Sequence, residues 1–156
     1  MCHYCGCRQI PLIRDYIAEH ERVLDLGHRA LEQGGRGELD AAQSTVGRMR
    51  AELRSHWQGE EEGVFALMRG EELYRVHIDP LIAEHRELDE VLRTLDMADH
   101  RHRIVLRDQV EELHVHISKE EDGIFPVTLV EFSGPEWDAA IDAWERAHPG
   151  RQLIED

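Results

Sequence analysis

One four-residue string occurs twice in this chain, as Ile17-Ala18-Glu19-His20 and again as Ile82-Ala83-Glu84-His85. Each copy is followed by a second matched pair. The first runs His56-Trp57-Gln58-Gly59-Glu60-Glu61-Glu62-Gly63-Val64-Phe65, and the second runs His116-Ile117-Ser118-Lys119-Glu120-Glu121-Asp122-Gly123-Ile124-Phe125. The order is therefore His, His-x-x-x-Glu, His, His-x-x-x-Glu. A His and a Glu four apart lie on one face of a helix. Four such helices bring four imidazoles and two carboxylates to one point, the ligand set for a pair of metal ions.

Gly and Pro mark where the helices start and stop. The pattern predicts helix 1 from Pro11 to Gly34-Gly35, helix 2 from about Glu38 to Arg69, and helix 3 from Pro80 to about 98. Helix 4 is predicted over about 101–122, ended by Gly123, and 71–78 reads as a separate short turn or helix. Ser133-Gly134-Pro135-Glu136 resembles a capping box opening a short C-terminal helix to about Ala147. Apolar residues recur at 3 then 4 throughout, as in an antiparallel bundle rather than in strands. The seams read Ile10, Ile13, Ile17, His20, Leu24, Leu31; then Ala42, Val46, Met49, Leu53, His56, Glu60, Leu67. They continue Leu81, His85, Leu88, Leu92, Leu95 and Val110, Leu113, His116 or Ile117, Glu120, Ile124. The expected fold is all-α: an antiparallel four-helix bundle over 10–132, after a Cys-rich segment 1–9 and before a C-terminal helix and tail 133–156. Trp137, Ile141 and Trp144 should form the stripe that docks the last helix.

A lone His on an apolar seam is ordinarily a hydrogen-bonded core residue. A buried carboxylate is harder to accommodate, because desolvating an unpaired charge costs several kcal/mol or forces the group to neutralise. No Lys or Arg stands on the seams near Glu60 and Glu120, and metal cations would supply the missing positive charge. Imidazole with carboxylate suits iron, manganese or zinc, while seams without cysteine disfavour a structural zinc site. Three or four protein donors per ion leave positions open for a small exogenous ligand.

The repeated pattern resembles the hemerythrin-like family, four-helix bundles that hold a non-haem di-iron centre. The resemblance covers roughly 10–132 and implies ligand roles for His20, His56, Glu60, His85, His116 and Glu120, the two glutamates bridging two irons with a bridging oxygen species. It implies reaction with oxygen, hydrogen peroxide or nitric oxide. Oxygen-carrying members add a fifth His one turn from the third-helix His, and a late Asp in the fourth helix. Here the one-turn neighbours of His85 are Leu81 and Asp89, and the fourth helix carries Glu120. The resemblance is therefore closer to bacterial members concerned with iron-centre repair and oxidative or nitrosative stress, or to iron-sensing domains.

Tyr16 lies one turn before His20, so its hydroxyl is placed to enter the site as a donor or a phenolate ligand. Glu61 and Glu121 face away from Glu60 and Glu120 and read as surface groups, the alternative being that they orient an imidazole from outside. His28, His77, His100, His102 and His114 read as solvated. Cys2, Cys5 and Cys7 are the only cysteines, and they form a second feature suited to zinc binding, thiol–disulfide cycling or metal transfer. The short stretch between Cys7 and Ile10 predicts that this segment rests on the bundle end without reaching the metal pair.

With 33 acidic against 18 basic residues the net charge is −15, which argues against binding nucleic acid or an anionic membrane surface. The start of the sequence has neither the basic nor the apolar stretch of a secretory signal, and the clustered cysteines are not a disulfide scaffold. A cytoplasmic location is expected.

Overall fold

Four long helices, two short ones and a C-terminal helix make up the computed structural model, which describes residues 6–154. In chain order these are α1 Ile13–Gly35, α2 Leu39–Glu62, α3 Val64–Met68, α4 Glu72–Thr94, α5 His100–Lys119, α6 Phe125–Glu131 and α7 Gly134–Ala147. A single 3-10 turn, Cys7–Gln9, precedes α1. No strand occurs among the described residues, so the predicted helical bundle with a short C-terminal helix is the observed fold.

Three predicted boundaries need correction. Helix 2 does not run to Arg69: the chain breaks at Gly63, whose φ of −105° and ψ of −103° leave the helical region, and α3 follows. Helix 4 does not stop at Gly123. α5 widens into a π turn, Glu120–Ile124, and continues as α6. Helix 3 starts at Glu72, eight residues before Pro80, and runs through the proline without a break. Pro80 lies on the exposed side of α4 with Val76, so the carbonyl it cannot bond faces solvent rather than core. Glycine thus ends the helix of one repeat at Gly63 and is passed through in the other at Gly123, for a packing reason. A Cβ on Gly63 would lie 2.7 Å from the Gly59 carbonyl oxygen and 3.2 Å from that of Ala140 on α7. A Cβ on Gly123 would meet nothing within 4 Å.

The apolar core divides into two parts along the bundle. One contains Val23, Met49, Leu53, Leu92, Leu106 and Val110. The other contains Ile13, Tyr16, Phe65, Ile78, Phe125 and Trp144. The helical turns between these two parts carry the repeated His and Glu. On α1 the core seam is slightly rotated from the predicted one: Val23 and Ala30 are buried, while Leu24 and Leu31 are half-buried. The C-terminal helix docks as expected, with Trp144 buried and Trp137 and Ile141 packed beside it. Its Ala140, Ala143 and Ala147 let the backbone come close to α2 at Gly59 and Gly63. A capping box joins Ser133 and Glu136 at its start.

Candidate metal centre

All six repeated residues meet in the middle of the bundle, and none is more than 6% exposed. His20 and His56 face each other with their Nε2 atoms 3.0 Å apart, and His85 and His116 do the same at 3.0 Å. Glu120 spans the two pairs: Oε2 lies 3.2 Å from His20 Nε2, and Oε1 lies 2.9 Å from His116 Nε2 and 3.5 Å from His85 Nε2. Glu60 Oε2 lies 3.3 Å from His56 Nε2 and 3.7 Å from His85 Nε2. Two donor groups result, His20–His56–Glu60–Glu120 and His85–His116–Glu120.

The outer edge of each imidazole is fixed as well. The Nδ1–H of His20 donates to Glu121 at 3.0 Å, that of His56 to Glu19 at 2.8 Å, that of His85 to Glu61 at 2.9 Å, and that of His116 to Glu84 at 2.7 Å. A carboxylate can only accept, so each ring keeps its proton on Nδ1 and turns the Nε2 lone pair inward. Two lone pairs 3.0 Å apart repel unless a cation or proton lies between them. The inner carboxylates are in the same condition. All four oxygens of Glu60 and Glu120 are buried without a hydrogen-bond partner, an arrangement a protein rarely leaves uncompensated.

Electrostatics record the same demand for positive charge. Burial, and then the charge of Glu120, push Glu60 well above the usual carboxylate range, toward its neutral form. Against its own burial, His116, His20 and His85 hold Glu120 well below that range. His20, also against burial, is raised to about 9 by Glu120 and Glu121, whereas burial lowers His56 to about 4 despite Glu19. In the metal-free protein protons thus do part of what a metal ion would do.

The family model of the hemerythrin HHE cation binding domain matches residues 12–148. The chain belongs to this family. No curated protein and no solved structure matches the chain.

In this HHE domain the six seam residues come together as the repeat requires, and the cluster fits a metal-binding site. Glu61 and Glu121 correct the expectation of surface groups. They are largely covered, and each orients an imidazole on a neighbouring helix. Glu19 and Glu84 do the same for His56 and His116, a role the seam spacing did not disclose although both stand inside the repeated string. Basic side chains hold three of these four carboxylates from outside: Arg8 holds Glu121 at 2.7 Å, Lys119 holds Glu84 at 2.6 Å, and Arg86 holds Glu61 at 2.9 Å. Glu19 differs. Its Oε1 accepts from Trp144 Nε1 at 3.1 Å and lies 3.1 Å from His148 Nε2, both on or beside α7. His148 was not marked by any spacing, because it follows the last helix rather than lying on a bundle seam.

Phe125 stacks on His20 at 6.0 Å between ring centroids, and Phe65, its counterpart in the repeat, stacks on His85 at 5.9 Å. Tyr16 is fully buried with its ring edge-on to His56 at 5.3 Å, and its hydroxyl has no hydrogen-bond partner. Burial and the nearby Glu60, Glu19 and Glu120 raise its pKa, which keeps it a phenol and a donor. Asp89 is taken by Arg50 in a two-bond pair at 2.7 and 3.0 Å. His28, His77, His100 and His114 are exposed and His102 is half-buried, so none of these joins the cluster. Cys7 is half-buried in the turn before α1, whereas Cys2 and Cys5 lie outside the described residues. No described helix is long and apolar enough to cross a membrane.

Proposed function

We propose that this HHE domain holds two iron ions and uses them to bind or react with a small molecule such as oxygen, hydrogen peroxide or nitric oxide. The observation that carries the reading is the pair of buried carboxylates without hydrogen-bond partners between two facing imidazole pairs. In this proposal His20 and His56 serve one ion, His85 and His116 the other, and Glu60 and Glu120 reach both. The donor chemistry, imidazole with carboxylate and no thiolate, suits iron or manganese, and each facing imidazole pair offers two nitrogens to one ion. Bound iron would supply one-electron chemistry and an open position for the small molecule.

The chain's own residues prepare that position. Glu121, Glu19, Glu61 and Glu84 fix the imidazole tautomers and increase the electron donation of the rings. Phe65 and Phe125 cover two of the rings and keep water away. Tyr16 brings a phenol hydroxyl with no other partner toward the His56 side, where it can donate to a bound molecule. Elemental analysis and the optical spectrum of the purified protein, recorded before and after peroxide, test the reading. Two irons per chain and a peroxide-sensitive visible band, both lost in His56→Ala, are expected. Fewer than one ion per chain, or peroxide consumption no faster than with free iron, would overturn it.

One observation favours a sensing role as a second reading. Arg8, beside Cys7, holds the carboxylate that orients His20, which links the cysteine segment to the centre. If the segment senses redox state, the combined substitution of Cys2, Cys5 and Cys7 by Ser should remove the effect of thiol oxidation on the optical spectrum. An unchanged response to oxidant in that variant counts against it.

A further inference from the structure

We propose that the groove between α4 and α5 is a binding site for an uncharged, largely apolar small organic molecule, with one end against the His85–His116 pair. The two imidazole pairs are covered differently, although His85 at 1% is as buried as His20 and His56 at 2%: Tyr16, Phe125 and α7 close over the first pair. Over the second pair α4 and α5 touch only sparsely. A groove of about 410 Å³ opens there, with His85 and His116 in its wall. His116, at 6%, is the most exposed of the six central residues.

That volume lies in the range of sites for small organic ligands and far exceeds what a diatomic molecule or peroxide fills. Trp57 stacks on His85 with ring centroids 5.0 Å apart, and Leu88 and Leu113 extend the apolar wall. Val115 carries it to the mouth, where it is 59% exposed. The rim decides the charge of the occupant. Glu84, Glu87 and Glu112 line it with one cation, Lys119, which Glu84 engages at 2.6 Å. An anion would meet carboxylates that lack a cation. A cation would be held at the rim, since the apolar wall offers it nothing in exchange for its hydration. An uncharged molecule with an apolar body is the class that the whole groove accepts.

The proposal stands apart from the di-iron reading, since neither Glu60 nor Glu120 lines the groove. The groove is built from side chains that are in place without metal. The test titrates zinc-loaded and metal-free protein with cumyl alcohol, benzoate and benzylamine, which share a ring and differ in charge. Binding is followed by amide chemical shifts, and zinc content is measured on the same samples. Cumyl alcohol is expected to shift Leu88, Val91, Leu113 and Val115 saturably in both forms, with benzoate and benzylammonium at least tenfold weaker. Val115→Trp, at an exposed position that leaves the core alone, is expected to weaken cumyl alcohol at least tenfold. Equal binding of either ion, shifts confined to the surface around Leu73 and Val76, or no shifts at all would overturn the proposal. Zinc bound without cumyl alcohol sinks the groove and leaves the metal reading. Cumyl alcohol bound by protein that takes up no zinc when zinc is offered does the reverse.

Discussion

Trp144→Phe separates the part α7 plays at the centre from its packing against the bundle. The substitution keeps an aromatic ring in a site that is 2% exposed and deletes one N–H, the donor 3.1 Å from Glu19 Oε1. Glu19 is 3% exposed, so water does not replace the lost bond. A hydrogen bond to a buried charge contributes about 1.5–3 kcal/mol. In a domain of this size about 2 kcal/mol corresponds to a fall in Tm of about 4–8 °C. Glu19 is the carboxylate that holds His56 Nδ1, and groups that orient a ligand in this way typically govern metal affinity by about 10–100-fold. His148 still faces Glu19 after the change, so the lower end, about tenfold, is expected. The assay is thermal unfolding of the metal-free protein together with a metal-competition titration. Trp137→Phe is the control, because Trp137 packs on Phe132 while the N–H that Glu19 accepts is that of Trp144. Equal effects of the two substitutions on metal affinity would refute the argument, since packing alone would then account for them.

Glu60→Gln should leave the melting temperature of metal-free protein nearly unchanged at neutral pH, because burial and Glu120 already drive Glu60 toward its neutral form. The same variant should lose metal, which elemental analysis reads directly. His20 sets the pH dependence. Its folded pKa, raised to about 9, means that the stabilisation from its charge is fully present below the ordinary value near 6.5 and disappears as pH rises through 9. Metal-free protein should therefore melt lower, and bind metal more tightly, as pH climbs from about 6.5 to 9. Loading at pH 7 should release a proton, which calorimetry in buffers of different ionisation enthalpy detects; no release would count against it. Gly63→Ala should destabilise by about 1–3 kcal/mol, since the new methyl would press on the Gly59 and Ala140 carbonyls. Gly123→Ala, in open space, should leave denaturant unfolding nearly unaltered.

The bundle and its six central donors were legible because His and Glu are foreign to an apolar seam, and their matched recurrence is visible without any structure. Glu19, Glu61, Glu84 and Glu121 were not legible in the same way. Each stands one position from a central residue, about 100° around the helix, and acts on an imidazole of a neighbouring helix. Which neighbour it reaches depends on helix packing, which spacing does not encode. Gly63 and Gly123 show the same limit at the backbone. Both follow the His-x-x-x-Glu pair, yet one breaks its helix where α7 leans on it and the other passes through a π turn. Pro80 misled for a related reason, since a proline on the wet side of a helix need not end it. Trp144 was expected only as part of the docking stripe, and its bond to Glu19, like the place of His148, was hidden from a reading of the four seams because both lie on or beside a helix outside the bundle.

The four Nδ1 contacts alternate in origin. Glu19 and Glu84 serve a histidine of their own half of the chain, while Glu61 and Glu121 serve one of the other half. Neither half completes its own centre. Two copies of a single half-length chain, related by a dyad through the centre, would make all four contacts from only two kinds of interaction. In such a homodimer any substitution would strike both imidazole pairs at once. Joining the halves in one chain removes that restriction. One imidazole pair can then acquire a Trp144–His148 clamp while the other keeps an open groove, and the two positions become free to take different tasks.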